Sequence, residues 1–268
     1  MEPIKVVVQG VFGKVGWELA KTLCREPDMQ LVGAVELQVS EDYLAIPEAS
    51  GRIPLAADLE HIVTTCRPDV LVDFTIAQAV MPAVRIAAKH RVNLVIGTTG
   101  LAADELDEIG RLAVSNKVGT VVAPNFSLGA VLMVYLAKLA ARYLDYAEII
   151  ELHHDRKADA PSGTALSTAR AMAQARGKPF SRPREPVGNA TSRGKVVEGI
   201  NVHSVRLPGL MAHQEVILGA AGQTLRIRHD TINQECYMPG VMLAIREVVK
   251  RQGLTYGLDD LLGLQETL

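Results

Sequence analysis

The chain has 268 residues, 48% of them hydrophobic and 22% charged, with a formal net charge of −2. That length leaves room for a large core in one domain or two. The near-neutral balance argues against a nucleic-acid binder that works through a basic surface. Cys24, Cys66 and Cys236 lie far apart and form neither a CxxC pair nor an even disulfide framework, so free thiols in a reducing compartment are expected.

The first residues, MEPIKVVVQG, run straight into a β-branched segment, with no basic n-region and no small-residue cleavage site. A soluble, cytoplasmic chain is expected. Residues 4–10 (IKVVVQG) read as a buried strand and residues 14–27 as the helix after it. Residues 29–36 form a second strand and 68–76 a third, followed by a helix over 77–91. Residues 92–100 are another strand, 102–117 a helix, and GTVVAPN at 119–125 closes the series. This βαβα rhythm predicts an α/β fold with a parallel sheet and helices on both of its faces. The uncharged stretch 118–137 has the length of a membrane span. Pro124-Asn125 and Ser127-Leu128-Gly129 interrupt it, so it reads as a buried strand, a turn and a helix.

Beyond that point the pattern changes. Residues 127–144 read as a long apolar helix, 147–154 as a strand and 162–177 as a helix. Residues 178–199, rich in Pro, Gly and Arg, read as a long loop that includes a glycosylation-type sequon at Asn189. Strand candidates follow at 201–209, 213–220 and 223–232, and residues 238–253 return to helix. Strands grouped after βαβ units predict a second, α+β domain.

Two constellations carry chemistry. Gly10, Gly13 and Gly16 follow the first strand and open the first helix, where a tight turn and free N–H groups receive a pyrophosphate. The spacing is GxxGxxG, with Phe12 where a second glycine would stand, and tight helix–strand packing would use the same residues. Glu36 ends the second strand, about where an acidic side chain grips an adenosine ribose. Gly97-Thr98-Thr99-Gly100 and Ala123-Pro124-Asn125-Phe126 follow later strands, the position at which open α/β sheets bind ligands.

The second constellation is ELHHDRKADAPSGTAL, residues 151–166. His153 and Lys157 share a face whether the backbone is strand or helix. A histidine passes protons near neutral pH, and a lysine supplies fixed positive charge. Ser162 suits a helix N-cap, with Gly163 and Thr164 opening a helix whose N–H groups bind anions. Together they describe a site for a small carboxylate that needs a proton. The alternative is a pair of strand histidines beside a solvated lysine. His203, His213 and His229 stand at no familiar ligand spacing, so no metal is expected.

GVFGKVG, GTTG, APNFSLG, ELHHDRKADAPSGTAL and SVRLPGLMAHQEVILG, in this order, resemble the dihydrodipicolinate reductase (4-hydroxy-tetrahydrodipicolinate reductase) family. The resemblance spans nearly the whole chain and rests most on HHxxKxDxPSGTA. It implies a Rossmann-like dinucleotide-binding domain, residues 1–126 and 234–268, with an inserted α+β domain, residues 127–233, for substrate binding and homotetramer formation. It implies NADH or NADPH as cofactor, held by Gly10, Val11, Phe12, Gly13, Lys14, Val15, Glu36, Gly97, Thr98, Thr99, Ala123, Pro124, Asn125 and Phe126. His153 matches the family's proton donor and acceptor and Lys157 its second proton donor, with His154, Gly163 and Thr164, beside Ser162, as substrate contacts. The implied reaction removes water from a cyclic hydroxy-imine diacid and reduces it, in the diaminopimelate branch of lysine biosynthesis. Two positions depart from the pattern. Leu37 stands where some relatives place an arginine after the ribose acid, with Lys14 as the alternative charge for a 2′-phosphate. Gln234 stands where many carry an arginine. A different NAD(P)-dependent oxidoreductase of the same plan and a silent dinucleotide sensor are the rival readings.

Overall fold

The computed structural model describes residues 2–49, 51–182 and 190–264. The chain divides into two compact units, Met1–Leu128 with Gln234–Leu268, and Gly129–Asn233.

The first unit is a doubly wound α/β layer. Its strands are β1 (Ile4–Gln9), β2 (Met29–Val35), β3 (Tyr43–Leu44), β4 (Ile53–Ala56), β5 (Val70–Asp73), β6 (Asn93–Ile96) and β7 (Gly119–Val122). A last strand, β13 (Gly253–Tyr256), comes from the C-terminal segment, after the five strands β8–β12 of the second unit. The sheet order is β13-β7-β6-β5-β1-β2-β4-β3. All neighbours are parallel except the edge pair β3–β4. From β1 the chain winds first toward β2 and then crosses to β5, so the order reverses beside β1. Helices α2 (Leu59–Cys66), α3 (Ala77–His90) and α4 (Ala103–Asn116) cover one face over Val7, Leu71, Leu94, Ile96 and Val122. Helices α1 (Lys14–Leu23) and α7 (Met238–Val248) pack on β1, β2, β6 and β7. Burial on both faces is why the run Val6-Val7-Val8 shows no alternation.

The second unit holds a five-stranded sheet, in order β12-β11-β8-β10-β9. Its strands are β8 (Tyr146–His153), β9 (Lys195–Val197), β10 (Ile200–Arg206), β11 (Ala212–Ala220) and β12 (Gln223–Thr231). β8 runs parallel to β10 and antiparallel to β11. Helices α5 (Leu128–Ala141) and α6 (Gly163–Arg176) cover one face through Ala137, Ala141, Ala165, Ala169 and Met172 over Ile149, Val202, Val216 and Leu218. The alternate positions Ile150, Leu152 and Ile217 point to the other face and are half-buried. There Glu148 bonds Asn201 and His203, and Glu215 pairs with Arg226 and Arg228.

The structure adds elements that the sequence pattern does not announce: β3, β4 and α2 between the second and third expected strands, and β13 after α7, which ends at Val248 rather than at the expected residue 253. β9 and a 3-10 turn lie within the expected loop 178–199; Asn189 and its neighbours 183–188 lie outside the described residues. The stretch 118–137 resolves into β7, a turn and α5, and among the described residues no helix is long and apolar enough to cross a membrane.

Candidate active site

In the first unit, four expected positions lie at the carboxyl ends of parallel strands. Gly10 follows β1, Glu36 follows β2, Gly97 follows β6 and Ala123 follows β7, with Phe74 after β5 among them. Backbone bonds join these turns: Gly10 N–H to Val35 O (3.0 Å), Phe74 N–H to Gln9 O (3.1 Å) and Ala123 N–H to Ile96 O (3.0 Å). Two of the three glycines are imposed by the turn itself. Gly10 has φ +81°, and a Cβ on Gly16 would lie 2.1 Å from Gly10 O. A Cβ on Gly97 would lie equally close to the Phe74 ring, which meets Phe126 edge-on at 5.6 Å. Phe126 is therefore a core residue, 2% exposed.

The remaining groups divide into those spent on the fold and those left over. Thr98 is buried and donates to Asp73 Oδ1 (2.5 Å), which also accepts from Thr75. Burial raises the Asp73 carboxyl above its ordinary range, against these bonds. Asn125 Oδ1 accepts the Ser127 N–H (2.8 Å) and shapes its own turn. Glu36 spans the glycine turn, accepting from Phe12 N–H and Leu37 N–H at 3.0 Å each. Gly13 caps α1 without a side-chain hydrogen bond, and the first turn of α1 carries no acidic residue. Phe12, Gly13, Lys14, Thr99 and Pro124 are exposed, and Val11, Val15 and Ala123 lie beneath them. A bare helix N-terminus beside an exposed lysine, with a carboxylate at the next strand end, fits a dinucleotide diphosphate and ribose.

The second unit builds its constellation around β8. Glu151 and His153 stand two residues apart on that strand, so their side chains leave the same face. Glu151 is fully buried, and its Oε2 lies 2.5 Å from His153 Nδ1. Arg206, directly across from His153 on β10, clamps both carboxylate oxygens at 2.8 and 2.9 Å. Ser162 N–H adds a bond to Oε1 at 3.1 Å. Burial alone would raise the Glu151 carboxyl, but the bonds from His153 and Arg206 outweigh it and lower the pKa from 4.5 to about 2.

After His153 the chain turns, with Lys157 N–H bonded to His154 O (3.2 Å). Lys157 Nζ pairs with Asp159 at 2.8 Å, and the Asp159 carbonyl accepts from Arg206 Nη2 at 2.5 Å. Ser162 is the N-cap of α6, its Oγ accepting the Ala165 N–H (3.2 Å). Gly163 and Thr164, in the first turn, are exposed, and a Cβ on Gly163 would meet nothing within 4 Å. His154 Nδ1 is buried without a partner among the described residues. Contacts through Glu151, Arg206 and Asp159 thus link His153, Lys157 and the N-terminus of α6. The other histidines of this unit serve elsewhere: His203 on Glu148, His213 on Asp230, and His229 against Gly129.

Residues 4–126 match the family model described as dihydrodipicolinate reductase, N-terminus, and residues 129–262 match dihydrodipicolinate reductase, C-terminus. The chain belongs to the dihydrodipicolinate reductase family. A 4-hydroxy-tetrahydrodipicolinate reductase from Dehalococcoides mccartyi is 58% identical over 98% of this chain and 100% of that protein. One from Moorella thermoacetica is 47% identical over 97% of this chain and 98% of that protein. The solved structure of a dipicolinate-bound dihydrodipicolinate reductase from Paenisporosarcina sp. TG-14 is 40% identical, with a TM-score of 0.86 over 96% of this chain and 99% of that one.

Within this reductase family member, four residues of the two constellations escape sequence reasoning: Phe74, Glu151, Asp159 and Arg206. Phe74 has a positional signal, since it follows a strand as the other turns do. Glu151 and Asp159 stand inside the segment read for His153 and Lys157 but show nothing of their burial or pairing. Arg206 becomes visible only through the β8–β10 register.

The Glu151 carboxylate gives a pH signature. Because its folded pKa lies below the unfolded value, its stabilisation is complete above about pH 4.5 and drains away as pH falls toward 2. Calorimetric unfolding across that range should show a steep acid limb in the unmutated protein and a shallower one in Glu151→Gln. Parallel limbs would show that another group carries the loss.

Proposed function

We propose that the chain reduces 4-hydroxy-tetrahydrodipicolinate to tetrahydrodipicolinate with loss of water, using NADH or NADPH, as a cytoplasmic enzyme of the diaminopimelate route to lysine. What supports this reading is the chain of contacts that links His153, Lys157 and the α6 N-terminus at Gly163 and Thr164, in a chain that matches the family over both halves. The test is a coupled assay with freshly generated substrate. Steady oxidation of either cofactor supports the reading, and oxidation of neither overturns it in favour of a silent sensor or another oxidoreductase.

The first unit is the dinucleotide-binding domain in this reading. Gly10, Val11, Phe12, Gly13, Lys14 and Val15 receive the diphosphate, and Glu36 holds the ribose diol. Gly97, Thr98, Thr99, Ala123, Pro124, Asn125 and Phe126 form the neighbouring wall. A bound reduced nicotinamide supplies the hydride. The second unit holds the diacid: the Gly163 and Thr164 N–H groups and Lys157 take the carboxylates, and His154 supplies a polar contact through its unpartnered nitrogen. Ser162 acts mainly as the helix cap that presents those N–H groups. Hydride addition leaves an electron-rich centre, which His153 quenches with a proton while Lys157 stabilises the developing charge.

His153→Ala should lower kcat by a factor on the order of 10² to 10⁴, with cofactor affinity nearly unchanged. Lys157→Ala should lower kcat and raise KM, and His154→Ala should mainly raise KM. Steady-state kinetics beside cofactor titration measure all three. A His153→Ala enzyme with ordinary kcat places the proton donor elsewhere.

Cofactor choice follows from Glu36, Lys14 and Leu37. A carboxylate at the ribose repels a 2′-phosphate, while exposed Lys14 offsets part of that repulsion, so both cofactors should serve. Leu37 is 79% exposed and free to be exchanged. Leu37→Arg should raise kcat/KM for NADPH relative to NADH; an unchanged ratio would count against Glu36 as the ribose ligand.

The chain also assembles as a homotetramer in this reading. The second sheet has helices on one face and Ile150, Leu152 and Ile217 among paired charges on the other, a surface suited to self-association with closed symmetry. Light scattering should report four protomers for the unmutated chain and a smaller species for Ile217→Arg with its circular dichroism intact. A monomer at micromolar concentration would refute the assembly.

A further inference from the structure

We propose that the buried Glu151–Arg206 pair is the positioning device of the proton-transfer site. Glu151 fixes His153 as the tautomer with hydrogen on Nδ1, which leaves Nε2 to exchange the proton with substrate. Arg206 ties the same carboxylate to the loop that carries Lys157. The inference rests on His153 being the proton donor of the proposed reaction and goes beyond it by naming the atom and the residues that select it.

The geometry is specific. An ionised carboxylate only accepts hydrogen bonds. The hydrogen on the 2.5 Å contact between Glu151 Oε2 and His153 therefore belongs to Nδ1. A neutral imidazole with Nδ1 protonated has its lone pair on Nε2, and the cation donates from Nε2. Tautomer and ring orientation are set together, because Glu151 cannot swing away: Arg206 Nη1 and Nη2 and the Ser162 N–H hold its oxygens.

The register partners of Glu151 on the two flanking strands are uncharged. On β10 its register partner is Ser204, with Arg206 two residues on. On β11 it faces Gln214, an uncharged residue that donates to Thr168 Oγ1 at 3.0 Å. At α6 it meets the Ser162 N–H, and the loop offers the Asp159 carbonyl to Arg206. Arg206 balances the buried charge, so ring and carboxylate persist in a dry site where a lone carboxylate would not. The Asp159 carboxylate then pairs with Lys157 at 2.8 Å, so a single chain of contacts runs from His153 through Glu151, Arg206 and Asp159 to Lys157.

The decisive measurement is the tautomer of His153. Protein labelled with 15N-histidine gives long-range proton–nitrogen correlations, and those of His153 are the ones lost in His153→Ala. The expected spectrum of the neutral ring has hydrogen on Nδ1 and none on Nε2; the reverse pattern overturns the proposal. In Glu151→Gln, whose side chain can also donate, the ring should populate both tautomers. Its kcat should fall by a factor on the order of 10² to 10⁴, with KM and cofactor affinity little changed. A folded Glu151→Gln enzyme with the unmutated kcat also overturns it. Should that variant not fold, the spectrum of the unmutated protein decides alone. Absence of reductase activity in the unmutated chain would count against the proposed reaction, while the spectrum would still report the tautomer.

Discussion

The second unit is organised around one buried charge. Glu151 sits mid-sheet with no solvent exposure, an arrangement that stands only if its charge is matched and its oxygens are bonded. Arg206 supplies the charge, and His153, Arg206 and Ser162 supply the bonds. Each of these partners comes from a different element: the end of β8, the end of β10 and the cap of α6. The demand of one carboxylate thus fixes where three chain segments converge. The polar loop between β8 and α6 inherits its placement from that convergence, through the Asp159 carbonyl on Arg206.

The first unit meets a different constraint. Its strands are short, four to seven residues apart from edge strand β3, and buried on both faces. Shape there is set by backbone approach rather than by charge. Phe74 shows how: its carbonyl lies where a Cβ on Gly10 would go, its ring lies where a Cβ on Gly97 would go, and the same ring packs on Phe126. Asp73, beside it, is the one acidic group of β5. It is kept bonded by Thr75 and Thr98, so that a threonine of the GTTG turn serves the sheet.

Much of this was legible in the sequence where the signal was local and long. The Val-rich strands and the helices of fourteen residues at Ala77, Ala103 and Gly163 stand close to where periodicity puts them. Short edge elements were not. β3 spans Tyr43–Leu44, β4 contains Pro54, β9 is a three-residue edge strand and β13 is four residues paired with β7 alone. None is long enough to establish a period. At the site the same rule holds. His153, Lys157 and the Ser162 cap share one segment and show together. Arg206 lies 55 residues from Glu151 and enters only through strand register, which one sequence does not disclose.

The glycines show why the two motifs differ in what they say about chemistry. Gly10, Gly16 and Gly97 are required by atoms of the chain itself, since any larger residue would collide with Phe74 or with the turn. A glycine-rich turn of this kind would be kept for packing whether or not a ligand came, so its presence is weak evidence of one. Gly163 is the opposite case. It has an ordinary helical start, no positive φ, and open space where a side chain would extend. Nothing in the packing of this unit asks for glycine there. It stands in an exposed first turn that this unit's own packing leaves open. That contrast, rather than the count of glycines, is what makes the PSGTA turn specific.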